Sequence, residues 1–321
     1  MLKIEGLEPS LFDPASVDPE TRDYVAQFEA TLAGLPLPYT QDVQALRDAA
    51  ASGQSLFGPV VLSDLATDRT IQSPAGKVSL RVFTPPTVRG VYLHFHGGGW
   101  ALGAANLQDK RLEDIALACE AAVVSVDYRL SPENPYPAAH DDCEAVAMWL
   151  AQNARSEFGT SELVIGGESA GAHLASATLV RLRDKHGFMG FKGANLLYGA
   201  YDLTLTPSAR SWGDRYLVLN TPIMNWYYDM FVPREKRADP DVSPLYADLS
   251  GLPEALFTVG TLDPLVDDTL FMYGRWLAAG NKAQISIYPG AIHAFPLMPI
   301  KLAQQANQRC HEFITQSLRS T

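Results

Sequence analysis

Gly167-Glu168-Ser169-Ala170-Gly171 lies between a short apolar run and an alanine- and leucine-rich stretch, and the fold is read outward from it. The pattern is G-x-S-x-G. A serine hydroxyl becomes a useful nucleophile when it is held exposed beside a base, and a sharp strand-to-helix turn holds it so. Small residues two before and two after the serine let the backbones pass closely. Upstream, Glu162-Leu163-Val164-Ile165-Gly166 predicts a buried strand. Downstream, residues 170–185 predict a helix with Arg181, Arg183 and Lys185 in its last turns and Gly187 as its stop. The N-terminus of that helix aims free N–H groups and a positive dipole end at the serine.

A second stretch, His96-Gly97-Gly98-Gly99-Trp100, follows the strand-like Val91-Tyr92-Leu93-His94-Phe95. Its backbone N–H groups can hold the oxyanion that forms when a serine attacks a carbonyl. It leaves a strand end, where open α/β sheets bind their ligands. At ordinary glycine and serine frequencies, G-x-S-x-G alone recurs in about one chain in ten of this length. The glycine run lowers the coincidence to on the order of a few in ten thousand. The pair points to acyl transfer, with oxyanion donors at Gly98, Gly99 and Ala170 and with Gly97 left open.

Four blocks make the resemblance specific: the glycine run; Asp127-Tyr128-Arg129-Leu130-Ser131-Pro132-Glu133 with Tyr136-Pro137-Ala138-Ala139; the serine pentapeptide; and Asp263-Pro264-Leu265-Val266-Asp267. The chain resembles the microbial carboxylesterases of the hormone-sensitive-lipase-like branch of the α/β-hydrolases. The matched region covers residues 75–295, and the first 60 or so residues carry no motif. The commoner family elbow has Asp before the serine, where this chain has Glu168.

That fold orders its partners as serine, acid, histidine. Of seven histidines, His94, His96 and His140 precede the serine, and His173 and His186 precede any plausible acid. His311 falls in a stretch that reads as an amphipathic helix. His293 follows the alternating Gln284-Ile285-Ser286-Ile287-Tyr288 in a strand-end loop, the place for a general base. Asp263 follows the apolar Ala255-Leu256-Phe257-Thr258-Val259, and the resemblance favours it as the acid over Asp202, Asp267 and Asp268.

The net charge of −11 and the absence of basic runs argue against nucleic acid and anionic membranes as partners. Cys119, Cys143 and Cys310 are unclustered and odd in number, which reads as buried thiols rather than a disulfide or metal site. Neither a signal-like N-terminus nor a membrane-length apolar run is apparent, so a cytoplasmic enzyme is expected, needing no metal and no organic cofactor.

Strands are predicted over 77–83, 90–95, 122–127, 163–166, 193–198, 256–260 and 284–288. Helices are predicted over 107–119, 138–153, 170–185, 266–279 and 301–318. The alternation implies a mostly parallel sheet flanked by helices. The resemblance implies that residues 1–55 and the insert 201–249 form a helical cap over a catalytic domain of 56–200 and 250–321. Trp100, Trp212 and Tyr216 are the aromatic candidates for the substrate pocket. Arg129 is expected in a structural network with Glu133 and Asp141 or Asp142, and His94 and His96 in bracing the glycine loop. The last strand, 284–288, is expected at an edge, where it can pair with a second copy. The small-molecule substrate is expected to be a short- to medium-chain ester. An amide hydrolase of kynurenine-formamidase type and a non-catalytic receptor on the same scaffold are the rival readings.

Overall fold

Short apolar strands buried on both faces need helices above and below them. The computed structural model describes residues 7–54, 56 and 58–319. Residues 1–6, which open the expected cap segment, and residue 55, its expected boundary, lie outside the described residues. Eight strands form one sheet: β1 (Ala66–Ser73), β2 (Gly76–Phe83), β3 (Gly90–Phe95), β4 (Ala121–Asp127), β5 (Leu163–Glu168), β6 (Phe191–Leu197), β7 (Glu254–Leu262) and β8 (Ala283–Ile292). Their order is β1-β2-β4-β3-β5-β6-β7-β8. β2 runs antiparallel to both β1 and β4, and every neighbouring pair from β4 across to β8 is parallel. The seven expected strands are present, and β1 is an addition.

Side chains alternate across the sheet. Tyr92, Val123 and Val164 pack with Leu112 and Ile115 of α3 (Asp109–Cys119) and with Ile314 and Leu318 of α9 (Lys301–Arg319). Val91, Leu93, Val124 and Ile165 join the larger cluster with α4 (Ala138–Phe158) and α5 (Ala170–His186). All three cysteines are buried and free.

Two regions stand outside the alternation. The N-terminal one holds α1 (Pro19–Ala33), capped by Asp18, and α2 (Val43–Ala51), capped by Asp42. The other, between β6 and β7, holds α6 (Pro207–Ser211) and α7 (Thr221–Phe231). Glu29 of α1 accepts from Arg215 of this insert at 2.7 and 2.8 Å, so the two segments meet. α8 (Val266–Ala278) joins β7 to β8.

At the elbow, α5 crosses β3 without room for side chains. A Cβ on Gly171 would overlap the Phe95 carbonyl oxygen and lie 2.8 Å from that of His96. A Cβ on Gly167 would also overlap the Phe95 carbonyl. Backbone cannot swing aside as a side chain can. Gly171→Ala should therefore destabilise the protein by about 3 kcal/mol or more, read as lost soluble yield and a lowered melting temperature. An unchanged melting temperature would disprove the crossing.

Candidate active site

Ser169 ends β5 and starts α5 with φ 55° and ψ −120°, a conformation that costs an L-residue of order 1–3 kcal/mol. Its N–H donates to the Leu197 carbonyl at 2.9 Å and its carbonyl accepts the His173 N–H at 3.1 Å, which hold the turn. The side chain is left partly exposed. Its Oγ lies 2.9 Å from His293 Nε2, and His293 Nδ1 lies 2.9 Å from Asp263 Oδ2. Asp263 is fully buried, and its other oxygen accepts the Leu265 N–H at 2.9 Å. An ionised carboxylate only accepts, so Nδ1 carries the proton and Nε2 accepts from the serine hydroxyl. Tyr198 packs edge-on against the imidazole at 4.8 Å.

The competing acids are occupied elsewhere. Asp202 accepts from the Thr204 N–H and hydroxyl and from Tyr246. Asp267 accepts the Ser208 N–H at 2.7 Å. Asp268 accepts the Tyr201 and Asp202 amides and the Thr206 hydroxyl. His311 sits on α9.

The glycine loop turns through left-handed backbone at Gly98 (φ 119°), Gly99 (φ 59°) and Trp100 (φ 58°). Among the described residues the Gly98, Gly99 and Ala170 amides have no protein acceptor. Gly97, left open above, is excluded as an oxyanion donor, because its N–H donates to Glu168 Oε1 at 2.8 Å. The same carboxylate takes Gln108 Nε2 at 2.5 Å and Arg111 Nη1 at 3.0 Å, and lies 3.0 Å from His94 Nε2. Burial alone would raise the Glu168 carboxyl. The charges and hydrogen bonds of His94, Arg111 and Gln108 outweigh it and hold the group far below the usual carboxylate range.

Of the partners expected for Arg129, Asp142 is met and Glu133 is not. Arg129 is bidentate on Asp142, both bonds at 2.9 Å. Glu133 pairs instead with Arg47 of α2 at 2.8 Å, and Asp141 with Arg181 at 2.8 Å. His96 stacks on Tyr128 at 4.2 Å and braces the loop as expected.

A cavity of about 30 Å³ adjoins the serine, room for roughly two water-sized groups. Gly99, Trp100, Ser169 and Ala170 form one side; Leu219, Met224, Tyr227 and Tyr228 of the insert form the other, with Ala200 and Leu265. Trp100 lines it as expected. Trp212 and Tyr216 are not among its lining residues. The Trp212 indole N–H donates to the Arg215 carbonyl at 2.8 Å. The α7 lining residues carry a sequence signal: Met224, Tyr227 and Tyr228 recur at i, i+3 and i+4 on one face of the helix.

Trp100 also ties three elements together. It stacks on Phe231 at 4.5 Å, and its indole N–H donates to His173 Nδ1 at 3.0 Å. An indole only donates, so Nε2 carries the His173 proton and donates to the Val242 carbonyl at 2.7 Å.

Residues 92–297 match the alpha/beta hydrolase fold family. The chain is 32% identical over 253 residues to the carboxylic ester hydrolase LipN of Mycobacterium tuberculosis, covering 75% of this chain and 67% of that one. It is 33% identical over 240 residues to an acetyl esterase of Salmonella schwarzengrund, covering 71% and 73%. In structure it is similar to a hyperthermophilic esterase from the archaeon Pyrobaculum calidifontis, with a TM-score of 0.84 at 28% identity over 94% of this chain and 98% of that one. A thermostable esterase from Pseudomonas putida superposes with a TM-score of 0.84 at 27% identity, covering 95% and 98%. The chain belongs to the alpha/beta hydrolase fold family and is a carboxylic ester hydrolase of the hormone-sensitive-lipase-like kind.

Two buried histidines next to the site set a pH limit. Burial pushes His173 down to about 4 and His140 well below its ordinary value. Unfolded, both take up protons near pH 6.5. The unfolded state therefore binds more protons below that pH, and stability is lost as pH falls from about 6.5 toward 4. His173 alone accounts for on the order of 3 kcal/mol across that window. Glu168 and the other carboxylates held low act only below about pH 4, while the buried Asp268, pushed up to about 7, works in the opposite sense and offsets part of the loss from His173 and His140. The melting temperature should drop between pH 7 and 4.5, and a flat profile there would contradict neutral burial.

Proposed function

We propose that Ser169 is the nucleophile, His293 the general base and Asp263 the acid that orients it, acting on short- to medium-chain carboxylic esters. The unbroken relay from serine hydroxyl through imidazole to buried carboxylate, with both contacts at 2.9 Å, carries this reading. Ser169 Oγ attacks the ester carbonyl as its proton passes to His293 Nε2. The tetrahedral oxyanion lies against the Gly98, Gly99 and Ala170 amides. His293 then gives its proton to the leaving alcohol, and the acyl-enzyme forms. A water that loses its proton to the same imidazole attacks that ester, frees the acid and restores the serine.

In this reading residues 1–55 and 201–249 act together as a cap, supported by the Glu29–Arg215 pair and by the insert's share of the cavity wall. A closed pocket gains about 0.8 kcal/mol per methylene it can bury until its wall is reached. Beyond that, packed side chains must move at about 1–3 kcal/mol. A second copy would pair along β8, an outermost strand whose Ile285 and Ile287 alternate with Ser286. Three free buried thiols suit a reducing, cytoplasmic setting. No helix among the described residues is long and apolar enough to cross a membrane.

Ser169→Ala and His293→Ala should each fold normally and lose about 10³-fold or more in kcat, without additivity in the double variant. Asp263→Asn should be far more damaging than Asp202→Asn, and the reverse ranking would move the acid to Asp202. Against nitrophenyl esters of increasing acyl length, kcat/KM should climb over the first few carbons and then fall. An aryl amide and an N-formyl amine should be poor substrates. A preference for long-chain emulsions, or for the N-formyl amine, would overturn the substrate class.

A further inference from the structure

The cavity beside Ser169 is bounded by both oxyanion elements, the glycine loop and Ala170, but not by His293. That asymmetry assigns it. The leaving alcohol oxygen must come within hydrogen-bond reach of the imidazole that protonates it. The acyl chain points the other way from the same carbonyl carbon, and so enters the space that His293 does not border. The space is small, about 30 Å³, so a lengthening acyl chain meets its wall after the first few carbons.

One side chain closes it where the chemistry happens. The Tyr227 ring of α7 lies flat against the α-carbon of Gly99: a Cβ there would overlap three of its ring carbons, Cγ, Cδ1 and Cε1. Only glycine at 99 lets the ring come so near. Tyr227 is partly exposed, whereas its neighbours Met224, Tyr228 and Phe231 on the same helix face are buried. No hydrogen bond to its hydroxyl is found among the described residues, so the contact is one of shape. The ring packs on Gly99 and, tilted, against Trp226 at 4.9 Å, and being less buried than its neighbours it is the part of the wall that can be trimmed with least damage to the core.

We propose that Tyr227, seated on the oxyanion glycine Gly99, is the specificity-determining residue that limits acyl length in this esterase. The assignment rests on Ser169 and His293 acting as nucleophile and base.

The test uses the full-length chain with two substrate series: nitrophenyl esters from acetate to decanoate, and acetates of alcohols of increasing length. With Tyr227→Ala, kcat/KM should rise about fourfold for each further acyl methylene that enters the opened space. The optimum should move several carbons longer, while the alcohol series keeps its wild-type order. Tyr227→Phe should match wild type, since the ring and not the hydroxyl forms the wall. Tyr227→Leu, which keeps apolar bulk for folding, should give an intermediate optimum. Trp212→Ala and Tyr216→Ala should leave the acyl optimum in place. An unchanged acyl optimum in both Tyr227→Ala and Tyr227→Leu would overturn the proposal, as would a change confined to the alcohol series. Should Ser169→Ala retain wild-type acetate hydrolysis, the nucleophile assignment fails instead; with that variant dead and wild type active, the outcome bears on Tyr227 alone.

Discussion

A buried carboxylate outside the cavity holds the chemistry together. Glu168 precedes Ser169 and gathers β3 (His94), the glycine loop (Gly97) and the start of α3 (Gln108, Arg111) around two oxygens. Removing an ion of this kind from water costs several kcal/mol unless its partners complete the geometry. Here a guanidinium, a backbone amide and a carboxamide do so, and the carboxyl stays ionised despite its burial. The consequence is mechanical. The strand that leads to Ser169 and the loop that carries the Gly98 and Gly99 amides share one anchor. An aspartate at this position, the commoner residue in the family, is one methylene shorter, so the same donors would have to move inward to meet it.

Strain gathers around that anchor. Trp100, Ser169, Tyr198 and Ala294 all adopt positive φ, although none is glycine. Each such residue costs of order 1–3 kcal/mol and persists only where its surroundings over-determine it. Here they do: Tyr198 N–H donates to the Thr258 carbonyl at 2.7 Å, and Ser169 is bonded on both sides of its turn. All four lie beyond the ends of parallel strands, where ladder hydrogen bonds give out and the backbone is free to aim side chains. The stability of the sheet is what sustains these turns.

How much of this could be read in advance follows from the range of each interaction. Strand, elbow and helix around Ser169 were legible because apolar runs, glycines and a basic last turn are local signals. His293 was found by chain order, and the structure places it at hydrogen-bond distance from the serine. β1 left no trace: Ala66–Ser73 is exposed at most positions and polar, as an edge strand tolerates, so it carries no alternation. Ion-pair partners were equally hidden. Arg47 and Glu133 stand 86 residues apart, and nothing in composition joins them. The pocket wall failed for a different reason. Aromatic content alone does not place Trp212, Tyr216, Tyr227 and Tyr228 relative to the serine, whereas the helical spacing of Met224, Tyr227 and Tyr228 puts those three on one face.

The two sides of the cavity are built with unequal stiffness, and that inequality matters for catalysis. Behind the glycine loop, Arg47 donates to the Ala101 carbonyl at 2.9 Å and to that of Ser131 at 2.7 Å. Glu168 holds Gly97, and His173 holds the Trp100 indole. Hydrogen bonds to charged groups are worth about 1.5–3 kcal/mol each, so displacing the loop means breaking several at once. The insert side offers Leu219, Met224 and the rim of Tyr227, apolar contacts that slide without leaving a buried polar group unpaired. The Gly98 and Gly99 amides are therefore tied to the rest of the fold by polar bonds, while the wall that faces them is set by packing. Donors that need no reorganisation at the moment of reaction are the ones that stabilise a transition state most. The division of labour thus follows from bond chemistry: polar, charged ties fix the glycine loop, and apolar packing sets the wall opposite it.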